Sequence, residues 1–586
     1  MPEYNSLDFD TLPPYHPRQF VPDDADLSQK DVVADLHEKL SDRVIQSHDE
    51  LEQWLLDRSE LEAAIDQYQS ILYIRMTCQT DDDARANAYK DFIETVVPAT
   101  KPWADKLDRK FVLDAETYQL DPKRYKVYTQ AIRTDIELYR EQNIPLQTED
   151  SLLSQEYQTV TGAMTVQFQG KEYPIPQIHK FLYETARDIR KRAWKAESQR
   201  RLKDKDTLDK IFNKMVSLRH QIAENAGFEN YRDYKFKEYH RFSYTAEHCK
   251  QFHDAVETYV VPLQHQFDQC RKEQMQLNQL RPWDMIADPL GKEPLKPAAD
   301  IDEFTGRLKT MFDRLDAEFG DQFQMMLQNS LLDLECRKGK APGGYQATLY
   351  EARKPFIFGN TIGTNKDLNL MTHEGGHAFH ALACADDPLL AYRHAPIEFC
   401  EVASMSMELL SAAHLDVFYD TAQQDRWWRE HLEGAVRTLT SVAQNDAFQH
   451  WIYENPEHTT RQREEKWIEL SGRFGSGLID WKGLEKEQAS YWQRILHFYQ
   501  VPFYYIEYGI AQLGALGIWL QSEQNMPKAI AAYKNALSLG GSKPLPRLFE
   551  AAGLPFDFSE KSIQPLAEKI NQKWMSHCKS FKKDPR

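Results

Sequence analysis

Residues 368–383 read LNLMTHEGGHAFHALA, and this stretch decides how the rest of the chain is interpreted. At its centre, His373, Glu374 and His377 form an H-E-x-x-H motif. On a helix, positions i and i+4 lie on one face, so the two imidazoles can converge on a single ion. The apolar flanks predict a buried helix, in which two histidines and a glutamate would be costly without a partner. A buried helix with satisfied histidines is the competing interpretation.

The motif predicts one zinc ion per chain. Zinc binds imidazole nitrogen in tetrahedral geometry, and a catalytic site keeps one position for water. Glu374 adjoins the first ligand and can reach that water. The ion lowers the pKa of the water and a carboxylate takes its proton, which produces a nucleophile for an amide carbonyl. Glu374 is therefore the predicted general base.

A third ligand is needed, and two glutamates are candidates. The metzincin pattern fails because His380 and Ala383 occupy its glycine and third-histidine positions. Glu398 and Glu401 are three residues apart on a predicted following helix, so they share a face and spacing leaves both open. The unused one would orient a ligand histidine or lie in solvent. Asp367 would likewise orient a histidine or cap the motif helix.

A second polar and aromatic cluster lies far downstream. Its members are His497, Tyr499, Phe503, Tyr504, Tyr505 and Tyr508. Amide hydrolysis builds an oxyanion, which neutral O–H and N–H donors stabilise. An aromatic core helix is the competing interpretation of this cluster.

Hydrophobic periodicity predicts a mostly α protein. Residues 1–30 are proline-rich and predict an irregular arm, residues 31–150 a helical lobe, and residues 151–586 the catalytic region. Two segments carry β signals. Residues 157–176 predict a hairpin with 159–161 and 165–168 on either side of Gly162, and strands are expected within 343–363. The basic stretch 187–205 is interpreted as a solvated helix face, with an anion or nucleic acid patch as the alternative.

Composition excludes several classes of protein. The net charge of −18 argues against nucleic acid and anionic membranes as partners. The seven cysteines are scattered without a C-x-x-C pair, which argues against a disulfide framework or a Cys-based zinc site and favours the cytoplasm. No signal peptide and no membrane-spanning helix are predicted.

The motifs together resemble those of the thimet oligopeptidase and oligoendopeptidase F family of zinc metallopeptidases, and oligoendopeptidase F more closely. Residues 373–380 are similar to the family's H-E-x-G-H-x-x-H, and residues 401–404 to its E-x-x-S, which carries the third zinc ligand and favours Glu401 over Glu398. Residues 497–508 look like the oligoendopeptidase F run of His and Tyr, although the tyrosine spacing aligns only with a gap. With weaker matches, the resemblance spans about 180–555.

The resemblance implies a mostly α, ellipsoidal, two-lobed fold split by a deep channel, with a small β-sheet beside the active site. Residues 343–360 would form this sheet and hold an extended peptide by strand addition. The implied function is a cytoplasmic zinc metalloendopeptidase that hydrolyses short peptides. His373, His377 and Glu401 would bind the ion and Glu374 would activate water, while His497, Tyr505 and Tyr508 would stabilise the oxyanion.

Two other functions are compatible with the sequence. A zinc carboxypeptidase or dipeptidyl carboxypeptidase would need a cation for the free carboxylate of its substrate, and Arg353 or Lys354 could supply it. A peptide-binding protein with a dead site is the alternative of another class. The oligomeric state stays open.

Overall fold

The structure is a computed structural model that describes Phe9 and residues 12–578. Helices dominate the described residues, and the predicted fold class, mostly α with a small sheet beside the helix of the H-E-x-x-H motif, is confirmed. The helices of the first half are α1 (Lys30–Asp42), α2 (His48–Cys78), α3 (Asp83–Tyr118), α4 (Pro122–Leu138), α5 (Ile144–Gly162), α6 (Ile175–Ile178), α7 (Arg187–Lys203), α8 (Lys205–Asn225), α9 (Tyr231–Glu238), α10 (Ala246–Ala255) and α11 (Val261–Gln274).

Twelve further helices follow among the described residues. They are α12 (Ile301–Leu315), α13 (Ala317–Gln328), α14 (Asn365–Ala383), α15 (Ile397–Ser411), α16 (Thr421–Glu454), α17 (Thr460–Phe474), α18 (Glu485–Ala489), α19 (Leu496–Gln500), α20 (Tyr505–Gln524), α21 (Met526–Leu537), α22 (Leu545–Ala551) and α23 (Glu560–Cys578). No described helix is both long and apolar enough to cross a bilayer.

The chain folds into two compact units, each made of three segments. The first unit contains the described residues up to Glu137, Leu295–Gln424 and Gly514–Phe556. The second contains Leu138–Pro294, Asp425–Leu513 and the described residues from Asp557 onward. Both units are assembled from segments distant in sequence, and the predicted boundaries at 30 and 150 stay predictions.

The described part of the N-terminal arm is irregular and contacts α2 through hydrogen bonds and apolar packing. Residues 12–29 contain turns and bends but no helix or strand. The carboxylate of Glu60 accepts hydrogen bonds from three consecutive backbone N–H groups, those of Gln19, Phe20 and Val21, at 2.8–2.9 Å. Val21 is buried in the same hydrophobic core as Trp54 of α2, so apolar packing holds the arm as well.

A two-stranded hairpin lies where the first β signal was found, but it begins later. Strand β1 (Thr165–Phe168) pairs antiparallel with β2 (Lys171–Pro174). Gln169 and Gly170 join them with φ values of 51° and 79°, the positive values that a type I′ turn requires. The predicted strand over 159–161 is wrong, because α5 continues through Gly162.

Tertiary packing explains why α5 extends so far. Its Tyr157 side chain is buried, donates a hydrogen bond of 2.8 Å to the Gln493 carbonyl and stacks on Tyr499 at 3.8 Å between ring centroids. The hydroxyls of Thr159 and Thr161 donate to the carbonyls four residues earlier, as helical threonines do. These contacts outweigh the β propensity of the Thr-Val-Thr sequence.

A three-stranded sheet in the first unit precedes the motif helix. Its order is β3 (Leu332–Glu335), β5 (Lys354–Thr361) and β4 (Tyr345–Leu349), with β3 parallel and β4 antiparallel to the central β5. The two strands predicted within 343–363 are present, whereas β3 was not predicted. Strand β4 lies at the edge of the sheet, and β5 leads through a short loop into α14.

Candidate metal centre

The start of α14 is set by a capping box. Thr364 is the N-cap, and the Asp367 carboxylate accepts backbone hydrogen bonds from Thr364 at 2.8 Å and Ile362 at 3.1 Å. Such reciprocal bonds satisfy N–H groups that have no partner within the helix. Of the two roles open to Asp367, the structure therefore assigns the cap. The cap fixes where the helix begins and hence which face His373 and His377 occupy.

Gly376 allows α15 to approach α14 closely. A Cβ atom at this position would lie 2.6 Å from the Ser404 Cα and 2.7 Å from the Ala403 carbonyl oxygen. Both are backbone-level contacts of α15, so only glycine fits without a shift. The close approach brings the next residue of α14, His377, to the level of Glu401 on α15.

The three predicted ligands converge in the first unit. One ligand atom from each of His373, His377 and Glu401 lies within 4.8 Å of the other two. The Glu401 Oε2 atom is 3.4 Å from Nε2 of His373 and 3.8 Å from Nε2 of His377. Glu398, the other candidate, is buried but does not join this group.

The donor set fits a catalytic zinc ion. Two imidazole nitrogens and one glutamate oxygen are a common three-ligand set, which leaves one position for water. Burial lowers the pKa of His377 to about 4, so its ring is neutral and has a lone pair to offer. Burial would raise the pKa of Glu401, but hydrogen bonding and charge at the histidines hold it below its usual value. The Ser404 hydroxyl also donates to Glu401 Oε2 at 3.0 Å.

Glu408 completes the surroundings of His373 and was missed by the sequence analysis. Its Oε1 lies 2.8 Å from the Nδ1 of His373, while Nε2 of the same ring faces Glu401. Burial lowers the pKa of His373, but hydrogen bonds to Glu401 and Glu408 outweigh it and raise the value to about 10. The two carboxylates therefore favour positive charge at this ring, from a proton or from a metal ion. The available signal was spacing, since Glu408 lies seven residues, or two helical turns, after Glu401.

Glu374 lies between the ligands and the edge strand. Its side chain is 6% exposed, and burial raises its pKa to about 7. Its carboxylate also accepts a hydrogen bond from the backbone N–H of Gln346 in β4. A carboxylate with a pKa near neutrality is a suitable general base, because it can both take and return a proton. The hydrogen bond places β4 directly beside this carboxylate.

The downstream histidine and tyrosines gather in the second unit. Nε2 of His497 lies 3.4 Å from the Tyr508 hydroxyl, and its ring centroid lies 4.8 Å from that of Tyr505 and 5.8 Å from that of Tyr504. Burial lowers the pKa of His497, so its ring is neutral. Tyr505 hydrogen-bonds Asn445. The predicted metal ligands belong to the first unit, so action of these donors on a substrate there stays a prediction.

Two other members of the downstream cluster are core residues. Tyr499 and Phe503 are fully buried. The ring of Tyr499 stacks on Tyr157 and lies parallel to Trp492, at an interplanar angle of 6°. The aromatic-core interpretation therefore holds for these two side chains.

Comparisons with known proteins identify the family of the chain. The sequence profile of peptidase family M3 matches residues 180–568, and that of the peptidase M3 N-terminal domain matches residues 29–139. Oligoendopeptidase F, chromosomal, of Lactococcus lactis subsp. cremoris is 24% identical over 257 residues, 42% of this chain. The chain spans 41% of the length of that relative.

Two solved structures are similar over most of the chain. One is described as an oligoendopeptidase F and superposes with a TM-score of 0.85 at 26% identity, covering 96% of this chain and 99% of that chain. The other, PZ peptidase A with an inhibitor, gives a TM-score of 0.83 at 27% identity with the same coverage of both chains. The resemblance inferred from the motifs is thereby confirmed, and the chain belongs to peptidase family M3.

Proposed function

We propose that the chain is a zinc-dependent oligopeptidase that cleaves internal bonds of short peptides, with one catalytic zinc ion held by His373, His377 and Glu401. The convergence of these three ligands beside the buried Glu374 carries the proposal. Family membership supports peptides as substrates. We expect a cytoplasmic enzyme without nucleic acid or membrane partners, as the acidic charge and unpaired cysteines predict.

Glu374 is the proton carrier of the proposed reaction. A zinc ion at this site supplies a Lewis acid that lowers the pKa of a coordinated water. The Glu374 carboxylate takes a proton from the attacking water as its oxygen bonds to the peptide carbonyl carbon. It then gives that proton to the amide nitrogen as the C–N bond breaks. His497 and Tyr508, with Tyr505 as a further candidate, donate hydrogen bonds to the oxyanion.

The exposed backbone groups at the edge of β4 are the proposed binding site for the substrate backbone. In an antiparallel pair, alternate residues point both backbone groups away from the partner strand. The Gln346 N–H points to Glu374 rather than to β5, so Gln346 and Thr348 face outward. An extended peptide can add to such an edge and bring its scissile bond beside Glu374. Binding through backbone groups would make the enzyme tolerant of side-chain sequence.

The structure argues against Arg353 as a clamp for a substrate carboxylate. Its guanidinium donates a 2.6 Å hydrogen bond to the Ala385 carbonyl and lies 4.5 Å from the centroid of the Tyr15 ring. An arginine with these partners is not directed at a ligand. Lys354 stays a candidate for the clamp, so the two functions are separated by experiment: an endopeptidase should cleave free and C-terminally amidated forms of one peptide at the same internal bonds. Cleavage of the free form alone would favour the carboxypeptidase.

Replacement of Glu374 by Gln tests the proposal. The amide cannot accept the proton, so we expect peptide cleavage to fall by about 10²–10⁴-fold while bound zinc stays unchanged. Mass spectrometry of products from a peptide mixture, with and without chelator, measures cleavage, and elemental analysis measures zinc. Glu335→Gln, at an exposed position of β3, is the control. Full activity of Glu374→Gln would refute the mechanism, and wild-type cleavage that resists chelation would refute the metal.

A further inference from the structure

A second cluster of metal-ligating side chains lies in the second unit, between α10 and α16. Cys249 and His253 are four residues apart on α10, and Asp446 and His450 are four residues apart on α16. Each spacing places both side chains on one face of its helix. The His253 Nε2 atom lies 2.8 Å from Oδ2 of Asp446, so the two faces meet.

Three of the four side chains bring their ligand atoms close together, and His253 reaches this group through its contact with Asp446. One atom from each of Cys249, Asp446 and His450 lies within 4.8 Å of the other two. His450 Nε2 is 3.2 Å from the same Asp446 oxygen that His253 approaches. All four residues are at most 3% exposed. The arrangement is therefore closed, unlike a catalytic site, which must admit water and substrate.

Some polar atoms of the cluster have no hydrogen-bond partner. They are Asp446 Oδ1 and Nδ1 of His450, whereas Nε2 of His450 contacts Asp446. Buried polar groups are nearly always hydrogen-bonded, so unpaired ones require an explanation such as an ion. Phe236, Phe474 and Phe503 lie edge-on to the histidine rings and supply an apolar wall rather than hydrogen bonds. A bound cation would give each of these side chains a partner.

The chemistry of the four ligands selects zinc. One thiolate, two imidazoles and one carboxylate match the mixed S, N and O donors that zinc accepts in tetrahedral geometry. A divalent ion with one thiolate and one carboxylate has no net charge, which suits a dry interior. Binding releases the thiol proton of Cys249 to solvent as the sulfur–metal bond forms.

We propose that Cys249, His253, Asp446 and His450 form a structural zinc site that joins α10 to α16. The site is independent of the catalytic centre, which has no sulfur ligand. The proposal predicts two metal ions per chain, one in each unit. Because the ion joins residues about 200 positions apart in sequence, its loss should destabilise the second unit in particular.

Cobalt replacement distinguishes the two sites. The full chain is produced in cells supplied with cobalt in place of zinc, so that a closed site is filled during folding. A Co(II)–thiolate bond gives a charge-transfer absorption in the near ultraviolet, which His and Glu ligands do not give. We expect this band in the wild type and its loss in Cys249→Ser. Cys78→Ser, at another fully buried cysteine, is the matched control and should keep the band.

Metal counting supplies the second measurement. We expect two cobalt ions per wild-type chain and one in the His377→Ala variant, which should keep the near-ultraviolet band. A band with only one ion per wild-type chain would support the second site and refute the catalytic one. Far-ultraviolet circular dichroism checks that each variant is folded. Should Cys249→Ser not fold, the wild-type spectrum still tests whether any thiolate binds the metal, and absence of the band overturns the proposal.

The proposal is overturned by a folded, cobalt-grown wild-type chain without the thiolate band. It is also overturned if the band persists in Cys249→Ser, because another cysteine would then hold the metal. In either case the cluster would be a metal-free network in which Asp446 accepts a hydrogen bond from His253.

Discussion

The Nδ1 atom of His373 lies 2.8 Å from Oε1 of Glu408, two helical turns beyond Glu401 on the same helix. This hydrogen bond places a proton on Nδ1, so Nε2, which faces Glu401, is the nitrogen that would bind a metal ion. Helix α15 thus supplies both the proposed carboxylate ligand and the group that orients a histidine ligand from α14. Such outer carboxylates raise the basicity of the ligand and fix its ring.

Glu408 should therefore tune metal affinity. We expect Glu408→Ala to weaken zinc binding by about 10–100-fold, because the ring loses both its orientation and the nearby charge. Glu408→Gln should weaken it less, since its amide oxygen can still accept from Nδ1–H. Competition with a chromogenic chelator measures the affinity, with Glu335→Gln as the control. Equal affinity of Glu408→Ala and wild type would show that the contact does not position the ligand.

The two glycines of the motif should respond differently to alanine. Gly376→Ala places a methyl group 2.6 Å from the Ser404 Cα, so we expect α15 to shift, the unfolding free energy to fall by about 1–3 kcal/mol and zinc to bind more weakly. Gly375→Ala meets the Phe312 ring edge at 3.2 Å, which a small rotation can relieve, and the Phe379 ring at an ordinary contact distance of 3.7 Å. Its better helix propensity offsets that cost by roughly 1 kcal/mol. Denaturant unfolding and zinc affinity, measured on both, test the contrast, and equal losses would contradict it.

Glu197 should make stability depend on acid pH. Burial raises its pKa, but the hydrogen bond with His179 and the charges of Arg494 and Arg201 outweigh this and hold the value at about 2. A carboxyl whose pKa is lower in the folded state stabilises the fold above its unfolded pKa and loses that contribution as pH falls through the folded value. The shift from 4.5 corresponds to at most about 3 kcal/mol.

The stability difference between wild type and Glu197→Gln should thus be largest above pH 5 and shrink as the pH falls toward 2. Urea unfolding at a series of pH values measures it. Glu465→Gln, on an exposed ion pair, should show a small difference with no comparable pH dependence. A difference that stays constant over this range would show that Glu197 is not held by its cationic neighbours.

The basic segment 187–205 includes Arg201, which pairs with the buried Glu197, so this segment is partly an ion-paired surface and not wholly a solvated face.

Arg219 should support the segment that carries His497. The residue is fully buried, and its guanidinium donates to the backbone carbonyls of Phe498 at 2.8 Å and Tyr499 at 2.6 Å. It also pairs with Asp150 at 3.0 Å. Arg219→Met leaves that carboxylate and the two carbonyls without their donor, so we expect a loss of about 3–5 kcal/mol in unfolding free energy.

An exposed arginine provides the comparison for Arg219. Arg461 lies on α17, and its side chain is 87% exposed beside Glu465. Arg461→Met should therefore leave denaturant unfolding unchanged. If Arg219→Met unfolds at the wild-type denaturant concentration, the buried guanidinium does not hold the 498–499 backbone, and the prediction is wrong.

Local patterns in the sequence were enough to predict the helix that carries the H-E-x-x-H motif. His373 and His377 share a face because the helical repeat places residues four apart one turn from each other, wherever the helix lies. Strands β4 and β5 were also visible in runs of aromatic and β-branched residues bounded by glycine and proline. Family membership likewise followed from short motifs.

Only the tertiary structure decided which residues from distant parts of the chain contact the motif and the other predicted elements. Spacing left Glu398 and Glu401 open, and the close approach at Gly376 brings Glu401 to the histidines. Residues 159–161 look like a strand, yet the packing of Tyr157 keeps them in α5. Nothing in the sequence relates Cys249 to Asp446, and only the packing of α10 against α16 brings the two side chains together. The reason is physical: periodicity describes which side of an element is buried, whereas the identity of the neighbour depends on how distant elements pack.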